Sequence, residues 1–184
     1  MTRLGSQEWI KQAFKAFQRG GIENVRVEKL AADLNVTKGS FYWHFANRQS
    51  LLHDMLDYWE EIGTSRIIEQ VQAVGPDARA RLYALCELTF SNAQLEEAQL
   101  DAKLRAWAST DSTAAETLIR VDKRRLAYVR SLLDDLSVPN AKHRAELIYR
   151  ALIGEYTWRV AGNPPASKAF VRSTLKLIIH EIDK

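Results

Sequence analysis

One cysteine, Cys86, is present in 184 residues. No disulfide can form within the chain, which excludes a cross-linked secreted scaffold and fits a reducing compartment. Long apolar runs are missing too. The uninterrupted ones last a few residues, far short of the roughly 20 that carry a helix across a bilayer. The first residues, MTRLGSQEW, show no apolar stretch behind a basic start, so no secretory leader is expected and the chain reads as cytoplasmic, with no membrane partner. Strand-like alternation of useful length, internal repeats and low-complexity tracts are all absent. So are a Gly-rich phosphate loop, a nucleophile elbow and a zinc-protease motif, so neither an enzyme nor a bound cofactor is expected.

Hydrophobic residues make up 46% of the chain and charged residues 27%, the balance of a globular protein with a real core. The net charge of +3 is unevenly spread. Residues 1–48 hold eight Lys/Arg against four Asp/Glu, a local +4, and the other 136 residues come to −1. A basic N-terminal quarter on a near-neutral body suits a module that faces a polyanion.

Helical spacing runs through the whole chain and predicts an all-α fold of about nine helices. Ile10, Ala13, Phe14 and Phe17 mark the first, which Gly20-Gly21 ends. Val27, Leu30, Ala31 and Leu34 mark a shorter second. Asn35-Val36 breaks the chain, and Thr37 can cap a third. Asn47 can cap a fourth, striped by Leu51, Leu52, Met55, Leu56, Trp59 and Ile62, and Gly75-Pro76 stops it. Leu82, Leu85, Cys86 and Phe90 lie on a fifth, and Leu95, Ala98, Ala102 and Trp107 on a sixth. Thr113 with Glu116 fits a capping box for a seventh, striped by Leu118, Leu126, Val129, Leu132, Leu133 and Leu136. Val138-Pro139-Asn140 and Gly162-Asn163-Pro164-Pro165 delimit the last two.

Those last two helices are apolar on more than one side. Ile148, Leu152 and Tyr156 share one line, and Val171, Leu175, Ile178 and Ile182 another, and both lines are expected to form a homodimer interface. Glu146 with Arg150, and Glu155 with Arg159, are i,i+4 pairs assigned to the remaining polar surface.

The stretch VTKGSFYWHF, residues 36–45, crowds rings behind a small polar lead-in. At about 100° per residue, Phe41 and Phe45 point the same way and can hold a helix down, while Tyr42, Trp43 and His44 point elsewhere. Lys38, Gly39 and Ser40 form the first turn, where free N–H groups and the helix dipole favour anions. Glycine there costs about 1 kcal/mol of helix propensity and permits close backbone approach. A short helix of this kind, behind a compact helix and a tight turn, is a helix-turn-helix.

With its flanks, LAADLNVTKGSFYWHFANRQSLL resembles the TetR (tetracycline-repressor-like) family of transcriptional regulators over about the first third of the chain. The resemblance implies a three-helix DNA-binding domain over residues 1–48 and an effector-binding and dimerisation bundle over 49–184. Thr37 would cap the recognition helix and touch phosphate. Lys38, Gly39 and Ser40 would face base edges or the adjacent backbone, and Tyr42 and His44 phosphate. Trp43 would lie against sugar, phosphate or a thymine methyl, and Arg48 would keep the phosphate contact of a usual lysine. Arg26 departs from the Thr or Ser that usually caps the second helix, and reaches phosphate only by a longer path. The implied function is a dimeric regulator, in habit a repressor, that reads a near-palindromic double-stranded operator and is released by a small-molecule effector.

Tyr83, Phe90, Trp107, Tyr128, Tyr149 and Trp158 are the candidate effector-pocket rings, Trp107 and Tyr149 foremost, although aromatic residues at helical spacing are more often plain core than pocket. His53 and Asp57 are one turn apart, but a solvated pair explains them without a metal. Leu85 and Leu88 around Cys86 suggest a buried, inert thiol. The run DKRRLAYVR (122–130) reads as a solvated helix face. The alternative function is a helical dimeric module that binds a ligand or protein and whose N-terminal helices do not read DNA.

Overall fold

A computed structural model of the chain describes residues 4–90 and 95–180, and all regular structure among them is helical. The helices are α1 Ser6–Gly20, α2 Val27–Asp33, α3 Lys38–Tyr42, α4 Arg48–Glu60, α5 Arg66–Gln72, α6 Ala78–Thr89, α7 Leu95–Ala108, α8 Ser112–Asp135, α9 Ala141–Val160 and α10 Lys168–His180. A π-helical turn, Glu61–Ser65, joins α4 to α5 without a break. Counted as one run, that joint leaves nine helices among the described residues, as the spacing predicts. The π-turn itself was not expected from the apolar spacing.

The stops are chemical. Gly21 leaves α1 at φ 72°, and Gly75 and Gly162 follow α5 and α9 at φ 128° and 88°. Asn47 caps α4 as expected, its Oδ1 accepting from Ser50 N at 3.0 Å while Ser50 Oγ accepts from Asn47 N. The start of α8 differs from expectation. Asp111, not Thr113, is the cap, its Oδ1 accepting from Ala114 N at 2.9 Å. Its carboxylate sits one residue ahead of the helix, where the free N–H groups begin, whereas Thr113 already lies inside the first turn.

The chain divides into two compact units, one reaching Ile62 and including Lys103–Leu118, the other holding Gly63–Ala102 and Ile119 onward. In the first, Trp9, Phe17, Leu30, Phe41, Leu51, Leu52, Met55 and Leu56 are almost wholly buried. Each contributes about 1.5–3 kcal/mol of burial, far more than the propensity of helices as short as α2 and α3 supplies. Trp107 belongs here, its ring tilted on Phe17 with centroids 5.7 Å apart.

In the second unit, Leu82, Leu85 and Cys86 of α6, Val129, Leu132 and Leu133 of α8, Ala145 and Ile148 of α9, and Val171, Leu175 and Ile179 of α10 form one buried cluster. Ala98, Tyr149, Leu152 and Tyr156 form a smaller one. Two groups expected at the surface are inside. Arg159 is 3% exposed. Its Nε donates to Glu155 Oε1 at 2.8 Å, the same oxygen accepts from Ala166 N at 2.9 Å, and its Nη2 donates to Phe90 O. The pair thus ties α9 to the following loop and to the end of α6. Arg125, in the supposedly solvated basic run, donates from Nε to Thr64 Oγ1 and from Nη2 to Gly63 O, both at 2.9 Å, with Asp101 at 3.6 Å. It braces the π-turn, whose irregular backbone leaves a carbonyl for it to satisfy.

Candidate nucleic-acid interface

Helix α2 forms because Val27, Leu30 and Ala31 fall on one buried side. It closes where Asn35 takes a left-handed conformation, φ 55°, and Val36 N donates back to Ala31 O at 3.0 Å. Thr37 is extended, and α3 begins at once. One residue anchors α3. Phe41 is fully buried, meets the edge of Trp9 at 5.3 Å and stacks on Phe45 at 5.2 Å. With Phe41 inward, the helical turn directs its neighbours outward. Tyr42 is 56% and Trp43 80% exposed, and Thr37, Lys38 and Gly39 are exposed with Ser40 and His44 half-buried. Seven of the residues expected at DNA therefore form one contiguous outer surface.

Gly39 has no work to do inside its own chain. A β-carbon there would come no nearer than 3.7 Å to Thr37 Oγ1, an ordinary contact. The missing side chain leaves room for something outside the chain.

Two expected residues, Thr37 and Arg48, are placed otherwise than expected. Thr37 occupies the N-cap of α3, but its side chain makes no capping hydrogen bond. In its place the backbone closes the turn, Ser40 N donating to Thr37 O at 3.0 Å. Arg48 is turned inward. Its Nε donates to Val25 O at 2.6 Å and its Nη2 to Ile22 O at 2.9 Å, bracing α4 against the 3-10 turn Ile22–Asn24 ahead of α2, a structural role that the sequence reading did not give it. Arg26 lies at the N-cap of α2 without a side-chain cap, as its chemistry demands, and bonds Glu23 O at 2.8 Å. Sequence reasoning also missed Glu28, whose carboxylate accepts from Lys38 Nζ. The two stand ten positions apart on different helices, so no local pattern announces the pair.

The expected effector rings scatter. Tyr83, Phe90 and Tyr128 are partly buried against the larger cluster of the second unit, and Tyr149 sits in the smaller one. Tyr149 donates to Asp122 Oδ1 at 2.6 Å. Burial pushes its phenol up to about 12, with Arg125 opposing and Asp122 adding. The Tyr128 hydroxyl is buried without a hydrogen-bond partner. Trp107 lies in the first unit, and Trp158 is 55% exposed. Trp158 instead borders a surface groove of about 450 Å³ with Phe90, Ala151, Gly154, Pro164 and Phe170.

The expected dimer lines turn inward. Ile148, Leu152, Tyr156, Val171 and Leu175 are buried in their own chain and Ile178 packs on the same core, while Ile182 lies outside the described residues. The opposite sides of α9 and α10 expose Leu147, Trp158, Phe170 and Leu177, each by more than half. Both sides of these helices are apolar, and periodicity alone could not rank them.

His53 and Asp57 form an exposed pair at 3.6 Å. Cys86 is buried, and desolvation raises its thiol to about 12. No helix among the described residues is long and apolar enough to cross a membrane.

Comparison with known proteins bears on both units. Residues 10–55 match the family model described as bacterial regulatory proteins, tetR family. The HTH-type transcriptional regulator YuxN of Bacillus subtilis is 32% identical over 59 residues, 32% of this chain and 20% of that one. This chain thus spans about a fifth of the length of that relative. The HTH-type transcriptional regulator BetI of Yersinia pestis is 24% identical over 182 residues, 98% of this chain and 91% of that one. A transcriptional regulator of Saccharomonospora viridis, solved in complex with choline, superimposes with a TM-score of 0.79 at 18% identity, covering 96% of each chain.

Proposed function

We propose that this chain, whose residues 10–55 match the tetR family of bacterial regulatory proteins, is a member of that family and a dimeric, sequence-specific DNA-binding regulator released from a near-palindromic operator by a small-molecule effector. Repression is the assigned mode of action and the cytoplasm its compartment, with residues 1–48 reading DNA and 49–184 holding effector and partner. The observation that carries the reading is the α3 surface, where a buried Phe41 presents a glycine-containing polar turn flanked by Lys38, Tyr42 and Trp43. Thr37, Lys38, Gly39, Ser40, Tyr42 and His44 meet phosphates and base edges in the major groove, Trp43 the sugar edge or a thymine methyl, and Arg26 a phosphate at the flank.

One helix of this length makes too few contacts for useful selectivity. Two copies reading half-sites about 34 Å apart supply it. The exposed Leu147, Trp158, Phe170 and Leu177 form the joining face, an apolar patch of the kind that marks interaction sites. The effector contacts Tyr83, Phe90, Tyr128 and Tyr149 in the second unit, where the unpartnered Tyr128 hydroxyl offers it a hydrogen bond. The choline held by the S. viridis regulator supports a small organic effector for this chain. An effector that prefers the DNA-incompetent spacing of the two α3 helices lowers operator affinity by that preference.

The test is retention of duplex DNA by the wild-type chain and by a Lys38→Ala, Tyr42→Ala variant. Binding that falls steeply with salt, and is lost in the variant while the dimer stays folded, supports the reading. Retention equal in both would refute it in favour of a module whose N-terminal helices do not touch DNA.

A further inference from the structure

Glu28 is the second residue of α2, and its Oε1 accepts from Lys38 Nζ across the surface assigned to DNA. Neither side chain is buried, being 68% and 51% exposed. An exposed ion pair contributes little to stability, so folding does not account for it. A carboxylate among phosphate-facing groups also works against binding a polyanion, since every phosphate repels it and it neutralises a lysine that would otherwise displace a counterion. The Lys38 hydrogen bond, then a backbone hydrogen bond of Glu28 itself and the Lys38 charge, lower the Glu28 carboxyl below its ordinary range.

In the major groove the favoured base partner of a carboxylate is the amino group of cytosine, since that of adenine lies beside the repelling N7 acceptor, and an ammonium has the O6 and N7 of guanine. A G·C pair presents these side by side. Glu28 and Lys38 present an acceptor and a donor side by side, with two ammonium hydrogens and further carboxylate lone pairs still available after their mutual bond. We infer that Glu28 is a specificity-determining residue, forming with Lys38 an acceptor–donor unit that recognises one G·C base pair per half-site and penalises sequences without that amino group. This rests on the assignment of α3 as the recognition helix.

The experiment begins with duplexes selected from a randomised library by the wild-type chain. Fluorescence anisotropy then compares wild type and Glu28→Gln across a salt series, on a selected duplex, on one with the recurrent G·C pair replaced, and on scrambled DNA. Wild type selects a G·C pair at a fixed place in both half-sites. Glu28→Gln, its circular dichroism unchanged, loses that preference by roughly tenfold, shifts toward adenine, and binds scrambled DNA several-fold more tightly. Its salt slope on scrambled DNA steepens by roughly one to two units for the two copies in a dimer. A wild-type chain that binds no duplex overturns the DNA-binding reading itself. A wild-type chain that binds, with Glu28→Gln keeping the same base preference and slope, overturns the role of Glu28 alone.

Discussion

Two helix pairs present rings to the outside, and they present different chemistry around them. At α2–α3 the exposed Tyr42 and Trp43 flank Thr37, Lys38 and Gly39. At α9–α10 Leu147, Trp158, Phe170 and Leu177 are exposed, and Trp158 and Phe170 border a groove with Ala151, Gly154 and Pro164. The first surface suits a charged, hydrogen-bonding partner, whose affinity would fall with salt. The second suits another apolar surface, and its association draws on removal of that area from water. Each pair also has a hidden side, Phe41 in one and Ile148 and Leu175 in the other, so a substitution acts on folding or on binding according to the side it falls on.

The largest effect divides the two sides of α3. Phe41→Ala empties the centre of the Trp9–Phe41–Phe45 stack and is expected to cost about 3–5 kcal/mol, measured by chemical denaturation. Tyr42→Ala, one residue on and exposed, should change that stability by under about 0.5 kcal/mol while weakening DNA binding. Equal losses would dissolve the distinction.

The same division on α9 and α10 comes next. Trp158→Glu with Leu177→Glu places charge on the exposed side and is expected to weaken self-association by roughly thirtyfold or more, read by sedimentation, with helicity kept. Ile148→Ala, on the buried side, should instead cost about 2–5 kcal/mol of stability. An unchanged sedimentation profile in the glutamate variant would remove that side from the interface.

Gly39→Ala sharpens the first surface. With room for the β-carbon, stability is expected to rise by about 1 kcal/mol in a melt while DNA affinity falls. A rise in both would mean that nothing approaches Gly39 closely.

The smallest effect concerns pH in the second unit. Burial, the largest cause in each case, pushes Cys86 and Tyr149 up to about 12 from ordinary values of 9.0 and 10.0. Unfolded, they give up protons first, so their contribution is complete below about pH 9 and is lost as pH rises toward 12. Cys86→Ala should flatten the decline in denaturation midpoint over that window, and the native thiol should resist alkylation at neutral pH. Prompt alkylation would contradict its burial.

Much of this was legible in advance because it is local. The stripe of α1, the Asn47 cap and the Phe41–Phe45 spacing each depend on residues within a few positions, and helical geometry does the rest. The exposed set at α3 was readable for the same reason, since one buried ring orients all its neighbours. Other features depend on residues far apart in the chain. Arg48 reaches carbonyls of Ile22 and Val25, Arg125 meets the π-turn, Arg159 reaches Phe90 and Glu28 meets Lys38.

The amino-acid order alone therefore determined the all-helical class, the helix breaks and the chemistry of the α3 surface, because backbone periodicity and capping act over one or two turns. Tertiary structure decided which side of α9 and α10 is hidden, which arginines are braces and where Trp107 belongs. Those outcomes turn on which distant groups share a low-dielectric interior, and a helix that is apolar all round carries no record of that choice.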